Sequence, residues 1–334
     1  MKIDAYAAMA ARKSLEKYQY DPQELGPWDI EVAITHCGIC HSDIHLIDND
    51  WQISGYPLVP GHEIVGTVVA KGASVTKLEP GQRVGIGWQR SSCMECEWCI
   101  RGEENMCADS HATCAGHYGG FAKSIRTDSR FAFRIPEALA SENAAPLLCG
   151  GITVYSPLRE FNVRPEMKVG VVGIGGLGHL ALQFAHAYGC EVTAFSSSPN
   201  KEAEAKTFGA HHFVAGADAA TLDHAANSLD FILVTAMADL DWAKYLNILR
   251  PNGKLCFVGA VPGPITVSAF PMLLAKRSIC GSAIGNRTGI SEMLEFAARH
   301  GIVAKTEALP MDQVNAAISK VRENKARYRM VLTN

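Results

Sequence analysis

KVGVVGIGGLGHLALQFAHAYGCEVTAFSSSPNK, residues 168–201, holds the pattern on which the fold turns. Its first five residues are an apolar, valine-rich run that reads as a buried strand, and GIGGLG (173–178) follows at once with G-x-G-x-x-G spacing. The stretch LGHLALQFAHAYG keeps helical periodicity up to Gly189, and EVTAFS resumes a strand. Glycine-rich turns are common, so the spacing alone decides little. Its place between a strand and a helix marks a βαβ unit whose turn can face a phosphate. Gly173 then makes the tight turn, Gly175 lets the backbone of Ile174, Gly176 and Leu177 approach a pyrophosphate, and Gly178 permits close packing.

Working outward, HFVA (212–215), DFILVT (230–235), KLCFVGA (254–260) and SICGSAIG (278–285) read as further strands, with helical stretches between most of them. Six parallel strands of a doubly wound α/β sheet fit. The first 145 or so residues have another texture, rich in Gly, Pro, His and Cys. Short runs such as IVGTVVA (64–70) and RVGIG (83–87) are separated by turn residues there. That is a strand-and-loop domain. After about residue 286 come two helical segments, SEMLEFAARHG and QVNAAISKVREN, and a final strand YRMVLTN that has to return to the first domain. No internal repeat or low-complexity segment interrupts this order.

A chain of 334 residues with 48% hydrophobic composition is long enough for two cores. A formal net charge of -3 supplies no broad basic field, which argues against nucleic acid or an anionic membrane as partner and leaves small molecules. The opening MKIDAYAAMAARKSLEKY contains no apolar run of signal or membrane-spanning length, so a cytoplasmic location is expected. Eleven cysteines in such a chain read as metal ligands and buried thiols rather than disulfides.

Cys93, Cys96, Cys99 and Cys107 follow C-x2-C-x2-C-x7-C, and short turns can bring four thiolates to one tetrahedral zinc at about 2.3 Å. The charged and small neighbours Glu95, Glu97, Arg101 and Gly102 describe an exposed loop rather than a core. Four thiolates on Zn2+ leave a net charge of about -2, which Arg90, Arg101 and backbone N–H groups are placed to offset. A closed site of this kind has no open position for substrate, so the lobe at about 90–110 is assigned to stability.

A second set is dispersed over CGICHSDIH (37–45), GHE (61–63) and LLCGG (147–151), each weak alone. Together, and along essentially the whole chain, they resemble the zinc-dependent medium-chain alcohol dehydrogenase family, in its branch of cinnamyl alcohol dehydrogenases and bacterial broad-range aldehyde reductases. The resemblance implies a GroES-like, β-rich catalytic domain (1–148 and 286–334) and a Rossmann-type dinucleotide domain (149–285). It places Cys40 (with Cys37 structural), His62 and Cys149 on the catalytic zinc, with water, substrate oxygen or Glu63 as the fourth ligand. Asp43 then orients the zinc-bound histidine; the other reading of Asp43 is a helix N-cap after Ser42. Ser42 is placed to hydrogen-bond the substrate oxygen, and His45 to pass a proton on toward solvent by way of the cofactor ribose.

The family's acidic ribose ligand belongs at the end of the second strand. Here that end reads Ser196-Ser197-Ser198-Pro199-Asn200-Lys201, and Glu191 begins the strand and so sits at the wrong end. Serine hydroxyls and the Lys201 ammonium favour the 2'-phosphate of NADPH, and NADPH-linked members of the branch carry a similar segment. Thr153, Thr235, Gly259 and Ser282-Ala283-Ile284 match further cofactor positions, and Trp51 and Trp88 are candidate walls of a substrate pocket between the domains.

The expected activity is NADPH-dependent, zinc-catalysed reduction of aldehydes to primary alcohols, with two zinc ions per chain and, by resemblance, a homodimer. Its rivals are NAD-dependent alcohol oxidation and a non-catalytic NADPH-binding sensor. The physiological aldehyde is set by pocket shape, where a methylene is worth only about 1–3 kcal/mol, and is not readable from the chain.

Overall fold

A computed structural model of the chain describes residues 2–216 and 219–334. It divides into two compact units, Met1–Ile152 with Asn286–Asn334, and Thr153–Gly285.

In the second unit six strands lie in the order His212–Ala215, Glu191–Ser196, Lys168–Val172, Leu229–Val234, Leu249–Phe257, Ser278–Gly281. Every neighbouring pair is parallel. Order reverses around Lys168–Val172, the strand that runs into the glycine turn, and such a reversal is where open α/β sheets hold ligands. Val169, Val171 and Val172 are buried, as are Phe231, Ile232 and Leu233 beside them, so the central strands are apolar on both faces. Two expected strands end earlier than their apolar runs. Leu249–Phe257 stops before Gly259, and Ser278–Gly281 stops before Ile284, whose left-handed φ of +49° no strand accommodates.

The first unit is built on a sheet ordered Thr306–Pro310, Arg329–Thr333, Asp29–Ile39, Glu63–Lys71, Arg83–Ile86, Ala132–Arg134, with Ser124–Asp128 also paired to Asp29–Ile39. The C-terminal strand does return: Met330 pairs with Ile39 and Leu332 with Cys37, antiparallel. Alternation along these strands buries Ile30, Val32, Ile34, Ile64, Val68, Val84 and Ile86 in one core with Met330 and Leu332. Asp29–Ile39 ends beside the short helix His41–Asp48, which stops at Asn49 in a left-handed conformation (φ 59°).

That helix is tied to the C-terminal helix Val314–Arg322 by Arg322, whose Nη1 and Nη2 reach the Asp48 carboxylate at 2.5 and 2.7 Å. Hydrogen bonding from Arg322 holds the Asp48 carboxyl below its ordinary value of 3.8. A depressed carboxylate contributes stability above its unfolded pKa and loses it as pH falls through the folded one. Arg322→Leu is therefore expected to cost about 0.2–1 kcal/mol at about pH 7 and progressively less below about pH 4, read by urea unfolding. A pH-independent difference would mean the pair is not what joins the helices.

Candidate functional site

The first unit gathers Cys40, His62, Glu63 and Cys149, with one ligand atom from each lying within 4.8 Å of the others. Three separate elements supply them. Cys40 is the extended N-cap of His41–Asp48, His62 and Glu63 stand at the start of Glu63–Lys71, and Cys149 follows the turn Ala145–Leu148. The two sulfurs are 4.0 Å apart, close to the roughly 3.8 Å expected for thiolates on one tetrahedral zinc. Cys149 donating to Cys40 drives the Cys40 pKa well down and that of Cys149 well up, so a thiolate is already favoured here. His62 Nε2 is sealed from solvent and, among the described residues, has no hydrogen-bond partner. A bare imidazole nitrogen beside two thiols fits a soft divalent metal such as zinc.

Asp43 explains why Nε2 is the bare nitrogen. Its Oδ1 lies 2.9 Å from His62 Nδ1 and accepts from the Gly61 N–H at 2.9 Å, while Oδ2 accepts from the Cys40 N–H at 2.9 Å. A carboxylate can only accept, so Nδ1 carries the ring proton and Nε2 a lone pair. Asp43 is not the helix N-cap: Cys40 is, and Asp43 stands at the third helical position, its Oδ2 reaching back to the Cys40 N–H. Cys114, which sequence reasoning missed, packs its sulfur 4.0 Å from both Asp43 Oδ1 and His62 Nδ1. Cys37 stays outside the group, its buried sulfur backed against Gly61 and Gly120, where an added Cβ would come within 2.9 and 2.8 Å of it.

Glu63 is occupied by Arg329, whose Nη2 lies 2.5 and 2.6 Å from the two carboxylate oxygens, both side chains buried. Burial pushes the Glu63 carboxyl up to about 7 against the downward pull of the guanidinium. The pairing also uses Gly38, where a Cβ would meet Glu63 Oε2 at 2.1 Å. Arg329 was not foreseen; its signal is a lone charge inside the otherwise uncharged strand YRMVLTN.

Around this centre, Ser42 Oγ lies 3.7 Å from Cys40 Sγ. His45 Nδ1 meets Asp50 Oδ2 at 2.8 Å, which fixes that proton and leaves Nε2 as the exchanging atom. The ring centroids of Trp88 and His62 are 5.0 Å apart, those of Trp51 and Trp88 6.0 Å, and those of His45 and Trp51 5.2 Å, so the two tryptophans border the candidate centre.

Cys93, Cys96, Cys99 and Cys107 form the other group. Cys93 Sγ lies 3.9 Å from Cys99 Sγ and 3.6 Å from Cys107 Sγ. Backbone N–H groups of Glu95 and Cys96 hold Cys93 down to about 7. The arginines expected to offset the charge do not do so. Arg101 pairs with Glu97 at 2.8 Å, and the charges that act on Arg90 are those of Asp29 and Asp128.

In the second unit the turn after Lys168–Val172 behaves as its glycines demand. Gly173 has φ +90°, a Cβ on Gly178 would stand 1.9 Å from Gly173 O, and a Cβ on Gly175 would meet nothing within 4 Å. The Gly175 face is therefore open to a phosphate. Thr235 Oγ1 donates to Gly173 O at 2.9 Å, and Gly259 lies against Thr235 and Ala236. Ser196 is buried at the end of its strand and accepts from the Ser198 N–H at 3.1 Å; Ser197 is exposed. Lys201 Nζ donates to Ile174 O at 2.6 Å, which sets its charge between the glycine turn and the serine segment. Glu191 is paired with Lys168 and His212 at the opposite end of the strand. Thr153 is buried in Gly150–Glu160, Ser282 Oγ donates to Glu160 Oε2 at 3.2 Å, and Ala283 and Ile284 follow.

These features define a zinc-binding dehydrogenase, and the chain belongs to the zinc-dependent alcohol dehydrogenase family. The alcohol dehydrogenase GroES-like domain matches residues 26–137 and the zinc-binding dehydrogenase domain residues 176–299. Among its relatives, the aldehyde reductase AdhA of Synechocystis sp. is 45% identical over 332 residues, 99% of either chain. A cinnamyl alcohol dehydrogenase from Sorghum bicolor superimposes with a TM-score of 0.95 at 39% identity, covering 100% of this chain and 98% of that one. The cinnamyl alcohol dehydrogenase of Helicobacter pylori, solved with NADP(H), gives 0.91 at 32% identity, covering 100% and 99%.

Asp43→Ala is expected to weaken zinc retention by Cys40, His62 and Cys149 about 10- to 100-fold while the four-cysteine lobe stays loaded. Chelator competition followed by elemental analysis reads this. Equal loss from both groups would show that Asp43 acts on folding alone.

Proposed function

We propose that the chain reduces aldehydes to primary alcohols with NADPH, reversibly, at a zinc held by Cys40, His62 and Cys149. The observation that carries this is the bare, buried His62 Nε2 facing two thiols, one of them disposed to ionise. Zinc supplies Lewis acidity toward a carbonyl oxygen, and NADPH supplies the hydride. Two thiolates and a neutral imidazole nearly cancel the metal charge, which suits a reversible reaction. The first unit is the catalytic part and the second the dinucleotide-binding part. The similarity to the NADP(H)-bound Helicobacter enzyme and to the Synechocystis aldehyde reductase supports the same reading.

The residues around the metal position divide the remaining work. Asp43 orients His62, and Arg329 keeps the Glu63 carboxylate engaged, which favours an open fourth position. In the reduction the Ser42 hydroxyl would donate a proton to the substrate oxygen, and His45 Nε2, with Nδ1 fixed by Asp50, would resupply that proton from solvent. Trp51 and Trp88 exclude water beside His62. Cys93, Cys96, Cys99 and Cys107 hold a second, closed zinc that stabilises its lobe. In the cofactor site Gly173 to Gly178 receive the pyrophosphate, and Ser196, Ser197, Ser198 and Lys201 the 2'-phosphate. Thr153, Thr235, Gly259 and Ser282 to Ile284 complete the cofactor's surroundings.

A homodimer belongs to this proposal. Among the described residues Ser278–Gly281 is an edge strand of its sheet, and the helix Ala269–Ala275 just before it exposes Phe270, Leu273 and Leu274 at 66–74%. Leu273→Glu with Leu274→Glu is expected to shift sedimentation toward the monomer, and an unchanged coefficient would refute this surface.

Monitoring NADPH oxidation over aliphatic and aromatic aldehydes tests the activity, and absence of aldehyde-dependent oxidation in zinc-replete protein would refute it. Lys201→Ala is expected to lower kcat/KM with NADPH by about ten- to a hundredfold and leave NADH use nearly unchanged, because it removes a charge-assisted contact made to the phosphate alone. Parallel loss with both cofactors would make Lys201 a support of the Ile174 turn only. Ser42→Ala should lower kcat more than it changes NADPH affinity.

A further inference from the structure

Cys256 and Cys280 belong to neither group of candidate metal ligands, and both are free thiols. They lie on the last two strands of the second unit's sheet, where Leu249–Phe257 runs parallel to Ser278–Gly281 and Cys256 is the direct register partner of Cys280. Register partners in a pleated pair send their side chains to the same face. Neighbouring strands stand about 4.7–4.9 Å apart, inside the roughly 4.4–6.8 Å that a disulfide spans between Cα atoms. Cys280 Sγ leans further across the gap, to 3.7 Å from the carbonyl oxygen of Leu255, the residue bonded to Cys256.

The two thiols are not equivalent. Cys256 is fully buried, whereas Cys280 is partly exposed on a strand that, among the described residues, has a neighbour on one side only. A hydrogen bond from Cys256 lowers the Cys280 pKa below its ordinary 9.0, against burial and with help from the Lys254 charge. The same contact, with burial, pushes Cys256 up. Lys254 stands two residues before Cys256 on the same strand, and hence on the same face. An accessible sulfur with thiolate character, beside a positive charge and backed by a second thiol, is the arrangement of a peroxide-sensitive cysteine with its resolving partner.

We propose that Cys256 and Cys280 form a redox modification site, in which a hydroperoxide converts the pair to a disulfide joining the last two strands of the sheet. The Cys280 sulfur attacks a peroxide oxygen and the O–O bond breaks. The departing oxygen takes a proton and leaves as water or an alcohol, with a sulfenic acid remaining on Cys280. The Cys256 sulfur then attacks that of Cys280. The S–S bond forms as the S–O bond breaks, and hydroxide leaves as water with the Cys256 proton. The sulfurs together lose an electron pair, which the peroxide gains. A second copy seated on the free edge of Ser278–Gly281 would not block this, because the side chains leave the sheet through its face.

Hydrogen peroxide treatment of the zinc- and NADP-loaded chain, followed by alkylation and peptide mapping by mass spectrometry, tests this. A Cys256–Cys280 linked peptide is expected, lighter than the reduced pair by a hydrogen from each thiol and returned to it by dithiothreitol. Cys256→Ser is expected to abolish the link and let Cys280 accumulate as a sulfenic acid that dimedone captures. Cys280→Ser should leave Cys256 unoxidised, since the buried thiol has lost its accessible partner. The wild-type map decides even where a variant fails to fold. The proposal is overturned by a Cys280 that stays reduced at a peroxide dose oxidising the metal-group cysteines, by a Cys280–Cys280 link between copies, or by a wild-type Cys280 that ends as an oxidised acid with no link to Cys256.

Discussion

The Asp43 carboxylate is the joint on which the metal-bearing unit depends. One oxygen closes the first turn of the His41–Asp48 helix through the Cys40 N–H, and the other holds Gly61 N–H and His62 Nδ1. The helix start that presents Cys40 and the strand start that presents His62 are thereby fixed by one fully buried group. A buried carboxylate is costly to desolvate unless several donors meet it, and here three do. Replacing it disturbs the placement of two candidate ligands at once.

A second buried charge sets the other side of the centre. Glu63 and Arg329 come from strands that flank Asp29–Ile39, and Gly38 between them leaves room for the carboxylate. Such a pair adds little net stability, since desolvation offsets most of its attraction. What it contributes is position. The last strand of the chain is bound to the residue beside His62, so the return of the C-terminus to the first unit bears on the site as well as on the core.

How much of this could be read from the sequence follows the range over which each feature is encoded. The four-cysteine lobe and the glycine turn are local: their spacing within a few residues nearly dictates which atoms meet. Cys40, His62 and Cys149 are dispersed, and no single one is informative; only their joint resemblance to a family named them. Arg329 and Asp50 act through geometry that spacing does not encode, Arg329 across 266 positions and Asp50 through the turn after a helix. The misassigned role of Arg90 and Arg101 has the same origin. Nearness in sequence to the thiols suggested charge compensation, but strand alternation sends Arg90 into a separate cavity lined by Tyr20 and Tyr118.

Cofactor selection shows how a missing group can carry as much information as one present. The Glu191–Ser196 strand carries its carboxylate at the amino end, where Lys168 and His212 neutralise it, and ends in buried Ser196. Among the described residues no carboxylate is hydrogen-bonded to the end of that strand, and Lys201 is held by the carbonyl of Ile174, inside the glycine turn itself. The turn that would receive the pyrophosphate and the cation that would receive the 2'-phosphate are thus mechanically linked. A ligand carrying both anionic groups engages a prearranged pair, whereas one lacking the 2'-phosphate leaves the lysine on its backbone acceptor and gains nothing from it.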